Sequence, residues 1–524
     1  MVGSAMLGAT LAETSCYDLA LRIPHAVTLL EIRGSLAENL PVAWLRQQFS
    51  GQLLYSISHN TSDDGDSGLR ARHRALILAA RDYDMVAMDE GCDLSPEMLA
   101  AIPPEKRMIC WKGPCWDPAY LRSAFQRISA MPARMYRVVV QGRSPMDAAL
   151  PLLLLKEAGR RDLTAFCEGK AGLWSRILAP YLGAPLVLGS LDHDEVDDSG
   201  EPSVRQLTED YGFPVLHPVR ELYGIVGNRI FQSPSPRLHN AGYRALHHPA
   251  LFLPFHVDNF GDFWREIINS SLFEALGLSV KGLTIVSPYK EAALAVAASR
   301  SSMARKAGAS NIMVRKNSSW EAHTTDPESI ASLAQKGDKP PEALEAAVIG
   351  CGGAGRAIAA ALQQAGAQVS LVNRSKERGD LAVRLLGLPF IPLSDFRSTP
   401  FTLLVNATPV GRDDDSIPFD IEALRPGTLV IDLTYRARPT SLAMEVVARG
   451  GTIIDGYDVL LNQVRKQFRM MTGRELPASI GRQTVISHVF GNSPMSRPTF
   501  RPEESLLPVA KGPALGMDKA QQPL

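Results

Sequence analysis

Lys290 lies in the stretch IVSPYKEAAL, where an apolar Ile–Val pair meets Ser287, Pro288 and an alanine-rich run. Serine and proline at that point predict an N-cap and a first-turn proline, with a helix continuing through KEAALAVAA. The lysine then falls in the first helical turn, where unpaired N–H groups and the macrodipole disfavour a cation by about 0.3–1 kcal/mol. A carboxylate partner would offset that cost, and an amine so held can take and give a proton. A second group of residues points to a dinucleotide. Gly350, Gly352, Gly353 and Gly355, with Ala354 among them, sit between the apolar run EAAVI and an alanine-rich segment. This is the spacing of a turn that lets a pyrophosphate approach the backbone and meet the N–H groups of a helix start. The next apolar run ends in Asn373, Arg374 and Ser375, with Arg378 close behind, where an acid would otherwise hold ribose hydroxyls. Arginine forks suit a 2′-phosphate, so the expected cofactor is NADP rather than NAD.

These groups need several domains to position them. The 524 residues, 45% hydrophobic and 21% charged, are ordinary for a globular protein and too many for one typical core. Equal numbers of basic and acidic residues give a formal charge of zero, so no global field recruits nucleic acid or an anionic membrane. Six cysteines at irregular spacing offer no metal-ligand pattern, and no metal is expected. The N-terminus lacks a signal-peptide pattern and no apolar run reaches about eighteen residues, which predicts a cytoplasmic protein. Short apolar runs such as TLLEIR, QLLYSIS, YDMVAM, RMICW, RVVVQG, LTAFCEG and PLVLGS alternate with helix-like segments over residues 1–222. That count fits a (β/α)8 barrel-like domain better than an open sheet. A second α/β pattern starts at Tyr223, a polar Pro-Pro stretch near 331–342 suggests a boundary, and the Pro- and Ser-rich residues 491–524 are expected to be a disordered tail.

Seven motifs stand in order around the glycine turn: FQSPSPRLHN, GLTIVSPYKEAAL, GASNIMV, HTTDPES, LLVNATPVG, DLTYRARPT and GYDVLLNQVRKQF. Together they resemble the shikimate dehydrogenase family over about residues 223–490. The resemblance implies a substrate domain of residues 223–335 and 459–490 and a Rossmann NADP-binding domain of residues 336–458. It implies reversible NADPH-dependent reduction of 3-dehydroshikimate to shikimate, with Lys290 and Asp326 as the catalytic pair. Ser233 and Ser235 match residues that hold the substrate carboxylate; Asn311, Tyr435 and Gln463 match other substrate-side groups. Asn406 and Thr408, with Gly411 and Gly456, match the surroundings of the cofactor. In the lysine loop this chain has Thr284, Ile285 and Val286 where Asn, Val and Thr are common, which leaves quinate open as a substrate. No oligomeric state follows.

The N-terminal half resembles type I dehydroquinate dehydratases, which precede the dehydrogenase in bifunctional enzymes. Glu31 and Arg33 in TLLEIRGSL and Arg176 in FCEGKAGLWSR carry the match. That chemistry needs a Schiff-base lysine and a proton-shuttling histidine. Arg137 stands at the lysine's position and Lys112 at the histidine's, while Ser58 and Glu201 replace an arginine and a glutamine. No lysine occurs from 113 to 155. The expectation is a barrel without imine chemistry. A working bifunctional enzyme and a non-catalytic quinate- or shikimate-responsive regulator remain the alternatives at this level.

Overall fold

The computed structural model describes residues 3–485 except 13–22, 38–39, 58–65, 116, 194–195, 197–198, 327–329, 331–339, 437, 479 and 482–483. Ser58, most of the polar 331–342 stretch and the tail 491–524 therefore lie outside the described residues. The chain forms two compact units, Met1–Tyr289 and Lys290–Leu524.

In the first unit, eight parallel strands run in the order Leu163–Glu168, Met135–Gln141, Arg107–Pro114, Met85–Asp89, Gln52–Ser56, Leu29–Arg33, Met6–Leu11, Leu186–Ser190. Helices follow most strands, giving a nearly closed barrel: among the described residues no ladder joins Leu163–Glu168 to Leu186–Ser190. Side chains of a strand alternate between faces, so one face of each strand fills the barrel. Leu29, Met108, Met135 and Leu186 form an apolar layer. Two residues further along the same faces come Glu31, Cys110, Arg137 and Leu188, all lining an open cavity of about 660 Å3. Polar groups thus gather toward the strands' C-terminal ends, where barrel sites form. The unit continues with three parallel strands, Glu221–Gly227 flanked by Ala250–His256 and Ser279–Ile285, and the helix Ser235–Ala245.

The second unit holds an antiparallel pair, Ile312–Lys316 with Ser319–His323, and a six-stranded parallel sheet. Its strands are ordered Phe390–Pro392, Gln368–Asn373, Glu345–Ile349, Leu403–Asn406, Leu429–Asp432, Thr452–Ile454. In sequence rank that is 3-2-1-4-5-6, the Rossmann order, whose reversal beside the first strand opens a ligand crevice at the strand ends. The sheet is buried on both faces, by Val348, Leu371, Val405 and Ile358 on one and Ile349, Val372, Leu404 and Val430 on the other.

Candidate active site

The lysine loop departs from the sequence expectation at its start. Tyr289 N donates to Val286 O at 3.0 Å, so these residues close a turn instead of capping a helix. The helix spans Lys290–Val296 and keeps the lysine in its first turn. Lys290 Nζ donates to Asp326 Oδ2 at 3.2 Å. Asp326 is 1% exposed, and its other oxygen accepts from Asn311 Nδ2 at 2.9 Å and Gln463 Nε2 at 2.6 Å. Asn311 is itself fixed, because its Oδ1 accepts from Thr325 N at 2.9 Å. Four predicted residues therefore meet at one carboxylate, drawn from the start of the helix Lys290–Val296, the edge of the strand Ile312–Lys316, the segment after the strand Ser319–His323 and the helix Gly456–Thr472. A buried acceptor with three donors is well satisfied and geometrically fixed. The lysine's side chain remains 15% exposed, which leaves its other protons able to reach a substrate.

At the glycine turn, Gly350 adopts φ +108°, and a Cβ there would lie 2.9 Å from Ala407 O. Gly355 packs so closely on Gly350 O that no side chain fits, whereas the space where a Cβ on Gly352 would lie is open. Gly352 is the N-cap of the twelve-residue helix Gly353–Gln364, and no side chain caps that helix. Its first N–H groups thus face an open position, a fit for a pyrophosphate. Ala354 lies in that first turn. Asn373 Oδ1 accepts from Cys351 N at 3.1 Å, tying the second strand's end to the turn. Ser375 caps the next helix through Arg378 N, and Arg374 beside it is exposed. Arg378 Nη1 is 2.8 Å from Glu291 Oε1, which also pairs with the buried Arg356 at 2.8 Å. That shared glutamate was not legible from spacing, since it lies 65 residues from one partner and 87 from the other. Asn406, fully buried, donates to Asp432 and accepts from Thr408 Oγ1 at 2.7 Å. Tyr435 packs on Tyr457 with ring centroids 5.4 Å apart, and Gly456 beside it leaves room for Thr434 O, which a Cβ would meet at 2.5 Å. In the first unit, Ser233 and Ser235 hydroxyls lie 3.1 Å apart.

The barrel cavity contains the predicted charged residues, each engaged with an opposite charge. Arg137 Nη1 donates to both oxygens of Glu31 at 3.1 Å. Burial alone would lift the Glu31 carboxyl, but the Arg137 guanidinium, aided by Ser56 and Arg33, holds it below its ordinary value. Burial likewise opposes the Arg137 charge and is outweighed by Cys110 and Glu31, which raise its pKa further. Arg33 and Arg176 lie 3.3 and 3.6 Å from Glu201, and Arg176 stacks over the Phe166 ring at 4.2 Å. Lys112 Nζ is 2.7 Å from Glu168 and half exposed. Among the described residues no cluster of three or more metal-ligand side chains occurs, and no helix is long and apolar enough to cross a membrane.

An eight-stranded barrel, a Rossmann sheet and a lysine–carboxylate pair define the class: a multidomain α/β protein whose second unit carries a dinucleotide-type crevice. The chain belongs to the shikimate dehydrogenase family. A Halobacterium salinarum protein named shikimate dehydrogenase (NADP(+)) is 32% identical over 268 residues, 51% of this chain and 98% of that relative. The family described as shikimate dehydrogenase substrate binding domain matches residues 225–313, and that described as type I 3-dehydroquinase matches residues 108–214. An Arabidopsis thaliana protein named bifunctional 3-dehydroquinate dehydratase/shikimate dehydrogenase, chloroplastic, is 29% identical over 332 residues, 60% of this chain. The match spans 54% of that relative's length. A solved structure of the S. pombe dehydroquinate dehydratase and shikimate dehydrogenase is 18% identical, covers 92% of this chain and 98% of its own, and superposes with a TM-score of 0.41.

Proposed function

We propose that this chain is an NADP-dependent shikimate dehydrogenase, reversibly reducing 3-dehydroshikimate to shikimate. The observation that carries the reading is the convergence of Lys290, Asn311 and Gln463 on the buried Asp326. Bound NADPH supplies hydride to the ring carbonyl carbon. Lys290 donates a proton to the oxygen as it becomes a hydroxyl and accepts it in the reverse direction, while Asp326 orients the amine. Asn311 and Gln463 hold Asp326 and hydrogen-bond ring hydroxyls; Ser233 and Ser235 hold the substrate carboxylate and Tyr435 lines the substrate. Gly350, Gly352, Gly353, Ala354 and Gly355 receive the pyrophosphate, Arg374 with Asn373 and Ser375 receives the 2′-phosphate, and Arg378 supports that end from Glu291. Asn406, Thr408 and Gly456 flank the nicotinamide.

The same reading divides the chain into a barrel of residues 1–222, a substrate domain of 223–335 with 459–490, and a cofactor domain of 336–458, working in the cytoplasm. The barrel forms no imine: Arg137, paired with Glu31, stands where an amine nucleophile is required. Spectrophotometric NADP reduction with shikimate and, separately, quinate tests the reading. Shikimate turnover is expected; absence of turnover with both acids contradicts it.

A further inference from the structure

Barrel and substrate strands belong to one compact unit, and their junction lies against the serine loop. Arg237 is the third residue of the helix Ser235–Ala245, two positions past Ser235. Its side chain is 6% exposed. Nε donates to Asp210 Oδ1 at 2.6 Å, and Nη1 lies 2.8 Å from Glu209 Oε2. Both acids end the barrel's last helix, Val204–Glu209, which starts with a Ser203–Gln206 capping box. Seven residues on, the same helical face presents Arg244, whose Nη2 donates to Glu209 O at 3.4 Å. Gly212, at φ +80°, makes room for that guanidinium, since a Cβ there would stand 3.0 Å from Arg244 Nη1. A separate apolar contact joins the two parts: Trp174 of the barrel packs on Phe255 and Phe273 at 5.6 and 5.8 Å.

Within the serine loop Ser233 N donates to Ile230 O at 3.0 Å, Ser235 N donates to Ser233 Oγ at 3.3 Å, and Phe231 stacks on His256 with ring centroids 5.4 Å apart. Gln206, Asp210 and Tyr211 close over Ile230, Ser233 and Pro236, leaving a gap of about 10 Å3, room for about one water. Burial raises the Asp210 carboxyl above its ordinary value and Arg237 counters it, so each partner depends on the other to be buried at low cost. We propose that Arg237, gripped by Asp210 and Glu209, is a positioning residue for the substrate-carboxylate loop, and that the barrel serves the dehydrogenase by bracing this loop. The inference rests on the dehydrogenase reading above.

The test is made in the full chain. In Arg237→Met, KM for shikimate rises about tenfold or more, as expected when a binding group is misplaced by about an ångström. The kcat stays within about threefold, since the reacting groups are untouched. KM for NADP does not change, Arg237→Lys recovers part of the loss, and Glu209→Gln/Asp210→Asn repeats the defect. Hydrogen exchange over residues 230–245 quickens in the Met variant, a readout independent of turnover. A folded Arg237→Met with shikimate KM within twofold of the parent overturns the proposal. If that variant does not fold, the same result in Glu209→Gln/Asp210→Asn does so. Failure of both to fold assigns the cluster to stability alone, which also overturns the positioning role. A parent protein inactive on shikimate sinks the dehydrogenase reading, and the exchange difference then reports on the brace by itself.

Discussion

Lys290–Asp326 and Arg137–Glu31 are both cation–carboxylate pairs, 3.2 and 3.1 Å apart, the first at a helix start and the second inside barrel strands. They differ in what the cation can do. Lys290 carries an amine that can lose a proton, its partner is fixed by two amides, and its side chain keeps some access to solvent. Arg137 stays protonated, its side chain is as accessible as that of Lys290, and its Nη1 donates to both oxygens of Glu31. A guanidinium in an amine's place preserves the charge and removes the nucleophile. Under the proposed function, the identity of the cation and not the geometry separates the reactive pair from the inert one.

Removing the cation of one pair and the carboxylate charge of the other gives the largest expected effects. Lys290→Ala is expected to lower kcat by roughly two to four orders of magnitude with NADP binding retained, the range for losing a general acid–base group. Steady-state kinetics and NADP titration check it. Glu31→Gln is expected to cost about 1.5–3 kcal/mol of stability at neutral pH, because the half-buried Arg137 loses its charge-assisted hydrogen bonds to a carboxylate. Denaturant unfolding gives the value.

The acid limb sharpens the second pair. Glu31 has a folded pKa below its ordinary value of 4.5, so the stability it contributes is present above that value and is lost as pH falls through the folded pKa. The gap in melting temperature between parent and Glu31→Gln should be full at neutral pH and shrink below about pH 4.5. A gap constant with pH would separate Glu31's charge from its role. Smaller again is Arg374→Ala, expected to weaken NADP about tenfold more than NAD, since only NADP offers a phosphate to its fork. Dissociation constants for both cofactors measure it. Lys112→Ala should shift stability by no more than about 0.5 kcal/mol, as its pair with Glu168 is half exposed.

The sequence made the glycine turn legible because backbone geometry demands glycine there: Gly350 at φ +108° and the crowded Gly355 accept no side chain. The parallel alternation of the first half was legible too, since strands buried on both faces read as short continuous apolar runs between helix-like segments. What spacing could not show was pairing across the fold. Lys290 and Asp326 are 36 residues apart, and only the family resemblance joined them. Arg137 was recognisable as a misplaced residue, but its partner lies 106 residues upstream. The start of the lysine helix differs from the sequence expectation because Ser-Pro resembles an N-cap in sequence, whereas Tyr289 N bonds back to Val286 O in a turn before the helix begins. Arg378 was read for its charge alone, and Glu291 was invisible as the group that claims it.

One coupled assay tests the central contrast. NADPH consumption is followed with 3-dehydroshikimate and, in parallel, with 3-dehydroquinate, and products are identified. The account predicts shikimate from the first substrate and none from the second, because Lys290 is present to deliver a proton and no amine stands at Arg137 to form the imine. Shikimate produced from 3-dehydroquinate would contradict it.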